Sequence, residues 1–133
     1  MVVIKSLYRK LISSTLAVDM IKYIGEAGGR ITDVALHVEL MSFVFQGELE
    51  ILELVHRFGG SMTATDYGGK NILHIAVLQH QMDIIRWIVS DPSLSVLITQ
   101  PDKLMRSPLD DAKTLNDEEI IQLFDLFFEK NMN

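Results

Sequence analysis

The sequence predicts an all-α fold: a solenoid of stacked helix-turn-helix units with short connecting loops, about four helix pairs forming one domain over 1–133. Three observations carry that prediction. The chain matches itself at a nearly fixed offset, apolar residues recur at helical spacing within each matching stretch, and capping residues stand where helices should begin. With 133 residues, 48% of them apolar, the chain has material for one sizeable core.

The faintest unit comes first, in 1–32. There "VDMIKYIGEAGGRI" parallels the later "LEILELVHRFGGSM", with Gly28-Gly29 answering Gly59-Gly60. The unit 33–65 follows, and its match to 66–101 is clear. From Asp33 to Asp66 the offset is 33 residues, under which Leu40 falls on Leu73, Val44 on Val77, Glu50 on Asp83, Ile51 on Ile84, Leu52 on Ile85 and Val55 on Ile88. A further copy, 102–133, starts at Asp102, an offset of 36 from Asp66. Leu109, Ala112, Glu119, Ile120, Ile121 and Phe124 take the same places. The three extra residues belong to the loop containing Asp91, Pro92 and Pro101.

Within the unit 66–101, Leu73, Ala76 and Val77 make one face of a helix over about Ile72 to Gln79. Ile84, Ile85, Ile88 and Val89 do the same for a second helix over about Met82 to Val89. Helices this short do not persist alone in water, so stacking against neighbours must stabilise them. The helix starts are legible. In "SPLD", Ser107 can accept from an orphan backbone N–H, Pro108 fits the first helical position, and Asp110 meets the positive end of the helix. Asn71 caps "NILH" in the same way. The stretch "VELM" from Val38 has no capping side chain, so a helix beginning there should fray.

Composition excludes several functions. There is no cysteine, which removes disulfides, thiolate chemistry and sulfur-ligated zinc, and is compatible with a reducing compartment. A formal net charge of -6 with no long basic run makes nucleic acid an unsuitable partner. The apolar opening is broken by Lys5, Arg9 and Lys10, giving neither a signal peptide nor a membrane span. The expectation is a soluble, cytoplasmic protein without membrane insertion.

The residues "DYGGKNILHIA" resemble the ankyrin repeat: Asp66, Gly69, Leu73, His74 and Ala76 match its signature, while Asn71 and Ile72 replace the usual Thr-Pro. "RSPLDDA" matches through Ser107, Pro108, Leu109 and Ala112 and departs at Asp110. The resemblance covers about residues 15 to 130 and implies an ankyrin-repeat solenoid. It implies that His74 hydrogen-bonds across to the neighbouring turn, tying adjacent units. His80 stands at the bend between helices where the family prefers Gly, a place for positive φ. A narrower similarity, to the ankyrin arrays at the C-termini of some asparaginases and glutaminases, rests on "TDYGGKNILHIAV" followed one unit later by "SPLDDAK".

His74 and His80 are six residues apart, which at about 100° per residue does not bring them to one side of a helix, whereas a metal pair wants i, i+4 spacing. Asp110 and Asp111 are adjacent and so do not face each other. In "NDEEII", Asp117, Glu118 and Glu119 open a helix, where negative charge is stabilising. Gly59, Gly60, Gly68 and Gly69 lack the strand and the Lys-Ser/Thr of a phosphate loop. No catalytic, metal or cofactor site is expected, and this chain alone is not expected to be an enzyme.

The resemblance implies function through recognition on a concave face of loop tips and first-helix positions. Mapped onto this sequence, that face comprises Val34, His37, Phe45 and Gln46, then Tyr67, Lys70, Leu78 and Gln79, then Lys103, Leu104, Arg106 and Leu115. Phe45, Tyr67, Leu78 and Leu104 are its apolar anchors; Lys70, Lys103 and Arg106 form a basic rim for a carboxylate-bearing partner. The expected function is a protein–protein interaction module with a protein partner, including the case of a catalytic domain of its own. The alternative is an accessory or oligomerisation domain at the C-terminus of an asparaginase- or glutaminase-like amidohydrolase. A homo-oligomer would then use the aromatic stripe ending in Phe127 and Phe128.

Overall fold

The computed structural model describes residues 35–57 and 59–131, with side chains from Leu40 onward within them. Val34 and the whole unit 1–32 lie outside the described residues, as does the side chain of His37. Among the described residues the chain is all-helical. It forms α1 (Ala35–Gln46), α2 (Leu49–Arg57), α3 (Ile72–Leu78), α4 (Met82–Ser90), a 3₁₀ helix (Ser95–Thr99), α5 (Pro108–Thr114) and α6 (Glu118–Asn131). Two compact units divide the chain, Met1–Ser61 and Met62–Asn133.

In the first unit α1 packs on α2, with Leu40, Phe43 and Val44 of α1 and Ile51, Leu52, Leu54 and Val55 of α2 buried. The helix expected near Val38 already includes Ala35, the first described residue. Ala35 and Leu36 are strong helix formers, and no proline or glycine interrupts the stretch before Gly47, so helical backbone extends through it. The bend is a Schellman closure: Gly47 takes φ 78°, while the N–H groups of Gly47 and Glu48 donate to the carbonyls of Val44 and Phe43 at 3.1 and 2.9 Å. The same closure ends α2. Gly60 N–H donates to Val55 O at 2.8 Å, and a side chain at Gly60 would put its Cβ 2.3 Å from Val55 Cγ1, so only glycine fits there.

In the second unit two helix hairpins lie side by side. The first helices, α3 and α5, pack together, and so do the second helices, α4 and α6. Ile72, Leu73, Ala76, Val77, Ile84, Ile85, Ile88, Ala112, Ile120 and Phe124 fill the space between. Fully burying a large side chain of this kind stabilises by about 1.5–3 kcal/mol, which compensates for helices too short to stand alone. Both bends repeat the Schellman closure, with His80 and Asn116 each at φ 52°. Gln81 N–H donates to Ala76 O at 2.8 Å, and Asp117 N–H to Ala112 O at 3.1 Å.

The connection expected to be a loop around Pro92 and Pro101 is partly helical. Leu94, Leu97 and Ile98 recur at i, i+3 and i+4, so a short 3₁₀ helix can bury all three against α4 and α5. Among the described residues no helix is long and apolar enough to cross a membrane.

Candidate protein-recognition surface

Two loops of the second unit are built alike. In 66–70, Asp66 Oδ1 accepts from the N–H groups of Gly68 and Lys70, both at 2.9 Å, and Asp66 N–H donates to Lys70 O at 3.0 Å. In 102–106, Asp102 Oδ1 accepts from Leu104 and Arg106 at 2.8 and 3.0 Å, and Asp102 N–H donates to Arg106 O at 2.8 Å. An aspartate side chain thus closes each loop on its own backbone. Lys103 N–H donates to Gly68 O at 2.9 Å, joining the two loops edge to edge.

Each loop runs into a capped helix. Asn71 Oδ1 accepts from Leu73 and His74 N–H at 2.8 and 3.0 Å, and Ser107 Oγ accepts from Asp110 N–H at 3.1 Å. The reciprocal half of each capping box differs. Asn71 N–H donates to His74 Nδ1 at 3.0 Å, whereas Ser107 N–H donates to Asp110 Oδ2 at 2.9 Å. Because a backbone N–H donates to Nδ1, the His74 proton sits on Nε2, which donates to Arg106 O at 2.8 Å. One buried imidazole therefore caps its own helix and holds the next loop. Asp110 departs from the repeat signature yet supplies the same acceptor, and its hydrogen bonds from Ser107 backbone and side chain hold its carboxyl below the ordinary value.

The three cations of the basic rim differ in their surroundings. Lys70 Nζ lies 2.8 Å from Asp102 Oδ2 and 3.8 Å from Asp111 Oδ2, both carboxylates being nearly inaccessible. That bond from Lys70, followed by the backbone N–H of Arg106, holds the Asp102 carboxyl down at about 2. Arg106 Nε donates to Asp111 Oδ1 at 3.0 Å, and its Nη2 to Thr114 Oγ1 at 2.6 Å. Two of the three cations thus neutralise buried carboxylates between the hairpins, since an unpaired buried carboxylate would be costly, while their own side chains stay 27% and 38% exposed. Lys103 is exposed, and its ammonium has no partner among the described residues. Asp110 and Asp111, adjacent in sequence, diverge: the first is exposed, the second buried.

The apolar positions are exposed. Tyr67 is 98% exposed, Leu104 77%, Leu115 50% and Leu78 42%, and Gln79 is exposed as well. In the other unit Phe45 is 56% exposed and Gln46 is exposed. Sequence reasoning missed Met105, which is 77% exposed and holds φ 63°. Its counterpart at the offset of 36 is Gly69, and a methionine replacing a glycine at a loop tip was the available signal.

Phe127 and Phe128 are half-buried and meet edge to face with centroids 5.5 Å apart. Phe127 also lines an open groove of about 1120 Å³ with Arg86, Val89, Pro92, Leu123 and Leu126. Among the described residues no group of three or more His, Asp or Glu side chains could hold a metal ion. No family model matches this chain, and no curated protein matches it.

Proposed function

We propose that this chain is an ankyrin-type, non-catalytic protein-recognition module, and that its second unit reads a partner through the loop tips at 66–70 and 102–106 and the adjoining ends of α3 and α5. The observation that carries this is the contrast within each loop. Every backbone group named above is fixed by the aspartate closures and the Lys103–Gly68 link, while the side chains at the tips, Tyr67, Leu104 and Met105, are large, apolar and exposed. A rigid frame carrying exposed anchors loses little freedom on binding, which is what recognition at modest cost requires. Lys103 adds one cation beside them, so the matching partner is a segment with apolar side chains and a carboxylate.

A displayed peptide library selected on the full chain tests this. The enriched peptides should carry an acidic residue beside apolar ones, and Tyr67→Ala or Leu104→Ala should each weaken them about tenfold, near 1.4 kcal/mol. Leu126→Ala, on the far helix, should leave them unchanged. Peptides that depend on Leu126 and ignore Tyr67 would overturn the assignment.

A second reading, self-association through α6, draws support from the groove that Leu123, Leu126 and Phe127 leave open. Sedimentation at high concentration decides it: a strict monomer ends that reading.

A further inference from the structure

The three bends hold their left-handed residue with different side chains: Gly47 (φ 78°), His80 (φ 52°) and Asn116 (φ 52°). Glycine takes that conformation without strain, and asparagine and histidine take it more often than other side chains. Backbone geometry therefore permits His80 at the bend without requiring it, and its ring supplies a further reason. Nδ1 lies 2.6 Å from Asp117 Oδ2, and Nε2 lies 3.4 Å from Glu119 Oε2. Asp117 also accepts from Ile120 N–H through Oδ1 at 3.4 Å, at the start of α6. Arg86 on α4 stands 3.5 Å from Glu119 and 3.7 Å from Asp83. The charged groups around the ring are thus Asp117 and Glu119 from the beginning of α6, and Arg86 with its own partner Asp83 from α4.

A neutral imidazole has one N–H and one lone pair. With a carboxylate opposite each nitrogen, either neutral tautomer turns a lone pair toward an anion. Only the imidazolium donates on both sides. The carboxylates approach from opposite edges of the ring, so they do not converge with it on one metal ion.

We propose that His80, Asp117 and Glu119 form a proton-operated clasp between the two hairpins of the second unit, held on both edges when the imidazole is charged and released from Glu119 when it is neutral. At acid pH the hairpins are tied at both ends, by His74 to Arg106 at the loops and by His80 at the bends. At alkaline pH the bend end is half open. The Asp117 hydrogen bond holds His80 above its ordinary value, opposed by partial burial and reinforced by the charges of Asp117 and Glu119. A group raised in the fold contributes stability that is complete below the unfolded value of about 6.5 and fades as pH rises through the folded one. The ring is half exposed, so salt screens the effect.

The test is an NMR titration of the His80 Cε1–H in the full chain, with urea unfolding of His80→Asn alongside. Asparagine suits the left-handed bend, as Asn116 shows, so that variant keeps the backbone while removing the clasp. His80 should titrate above about 6.5, and Asp117→Asn, which preserves the cap acceptor, should lower its midpoint more than Glu119→Gln does. The urea midpoints of the parent and His80→Asn should differ more at about pH 5.5 than at about pH 8.5. A midpoint at or below the ordinary value, or one that neither carboxylate variant moves, overturns the clasp. So does a stability difference that is the same at both pH values.

Discussion

The hairpins α3–α4 and α5–α6 share one backbone frame 36 residues apart, with matching loops, capping boxes and bends, yet equivalent side chains meet different surroundings. Leu73 is 0% exposed and Leu109 is half-buried; His74 is 0% exposed and Asp110 is exposed. Val77 is 1% exposed and its counterpart Lys113 is exposed; Ile85 is 0% exposed and Ile121 half-buried. The first hairpin is apolar or histidine-bearing where the second hairpin presents charge. One frame can therefore be buried or turned to water by changing a few side chains.

The largest effect that separates the hairpins should come from their shared leucine. Leu73→Ala opens a cavity in a fully buried site and should cost about 3 kcal/mol, whereas Leu109→Ala removes a side chain already partly in water and should cost about 1 kcal/mol. Urea midpoints with unchanged slope measure both. Equal costs would mean that the two positions are not packed differently and would remove the basis of the contrast.

The capping position gives the next effect. His74→Ala leaves the buried Asn71 N–H without the acceptor it has at 3.0 Å and takes one of two donors from the Arg106 carbonyl, which keeps its bond from Asp102 N–H, and should cost about 2 kcal/mol. Asp110→Ala loses one exposed acceptor that water can replace, worth about 1 kcal/mol or less. A His74 variant as mild as the Asp110 variant would show that the link to Arg106 carries no net stability.

Much of this was legible because it is local. A cap and its N–H lie two or three residues apart, and the bend at His80 follows from the repeat period, so Asn71, Ser107, Pro108 and the positive φ of His80 could all be placed from sequence. Helix α3, expected over Ile72 to Gln79, runs Ile72–Leu78. What could not be read was charge pairing between the hairpins. Lys70 reaches Asp102, 32 residues away, and no local pattern says that a lysine beside a loop tip points inward. Nor did one pair Arg106 with Asp111, although that carboxylate is only five residues on. The 3₁₀ helix was hidden by its flanking prolines, which read as loop even though Leu94, Leu97 and Ile98 carried a helical spacing.

The smallest contrast concerns the left-handed tips. Gly69 holds φ 77°, and a Cβ there would lie 3.0 Å from Lys103 N, the atom whose N–H joins the two loops. Gly69→Ala should therefore cost about 1–2 kcal/mol through backbone strain, with the inter-loop bond weakened besides. Met105 adopts φ 63° without glycine's freedom and with its side chain largely in water. Met105→Gly relieves that strain but gives the unfolded chain more freedom, so the expected net gain is below about 1 kcal/mol. Calorimetric melting of both variants reads the two signs. If Met105→Gly is stabilising and also weakens selected peptides, the methionine is kept at a strained tip for what it contacts in a partner. If it is destabilising, the side chain supports the loop, and the recognition face contracts to Tyr67 and Leu104.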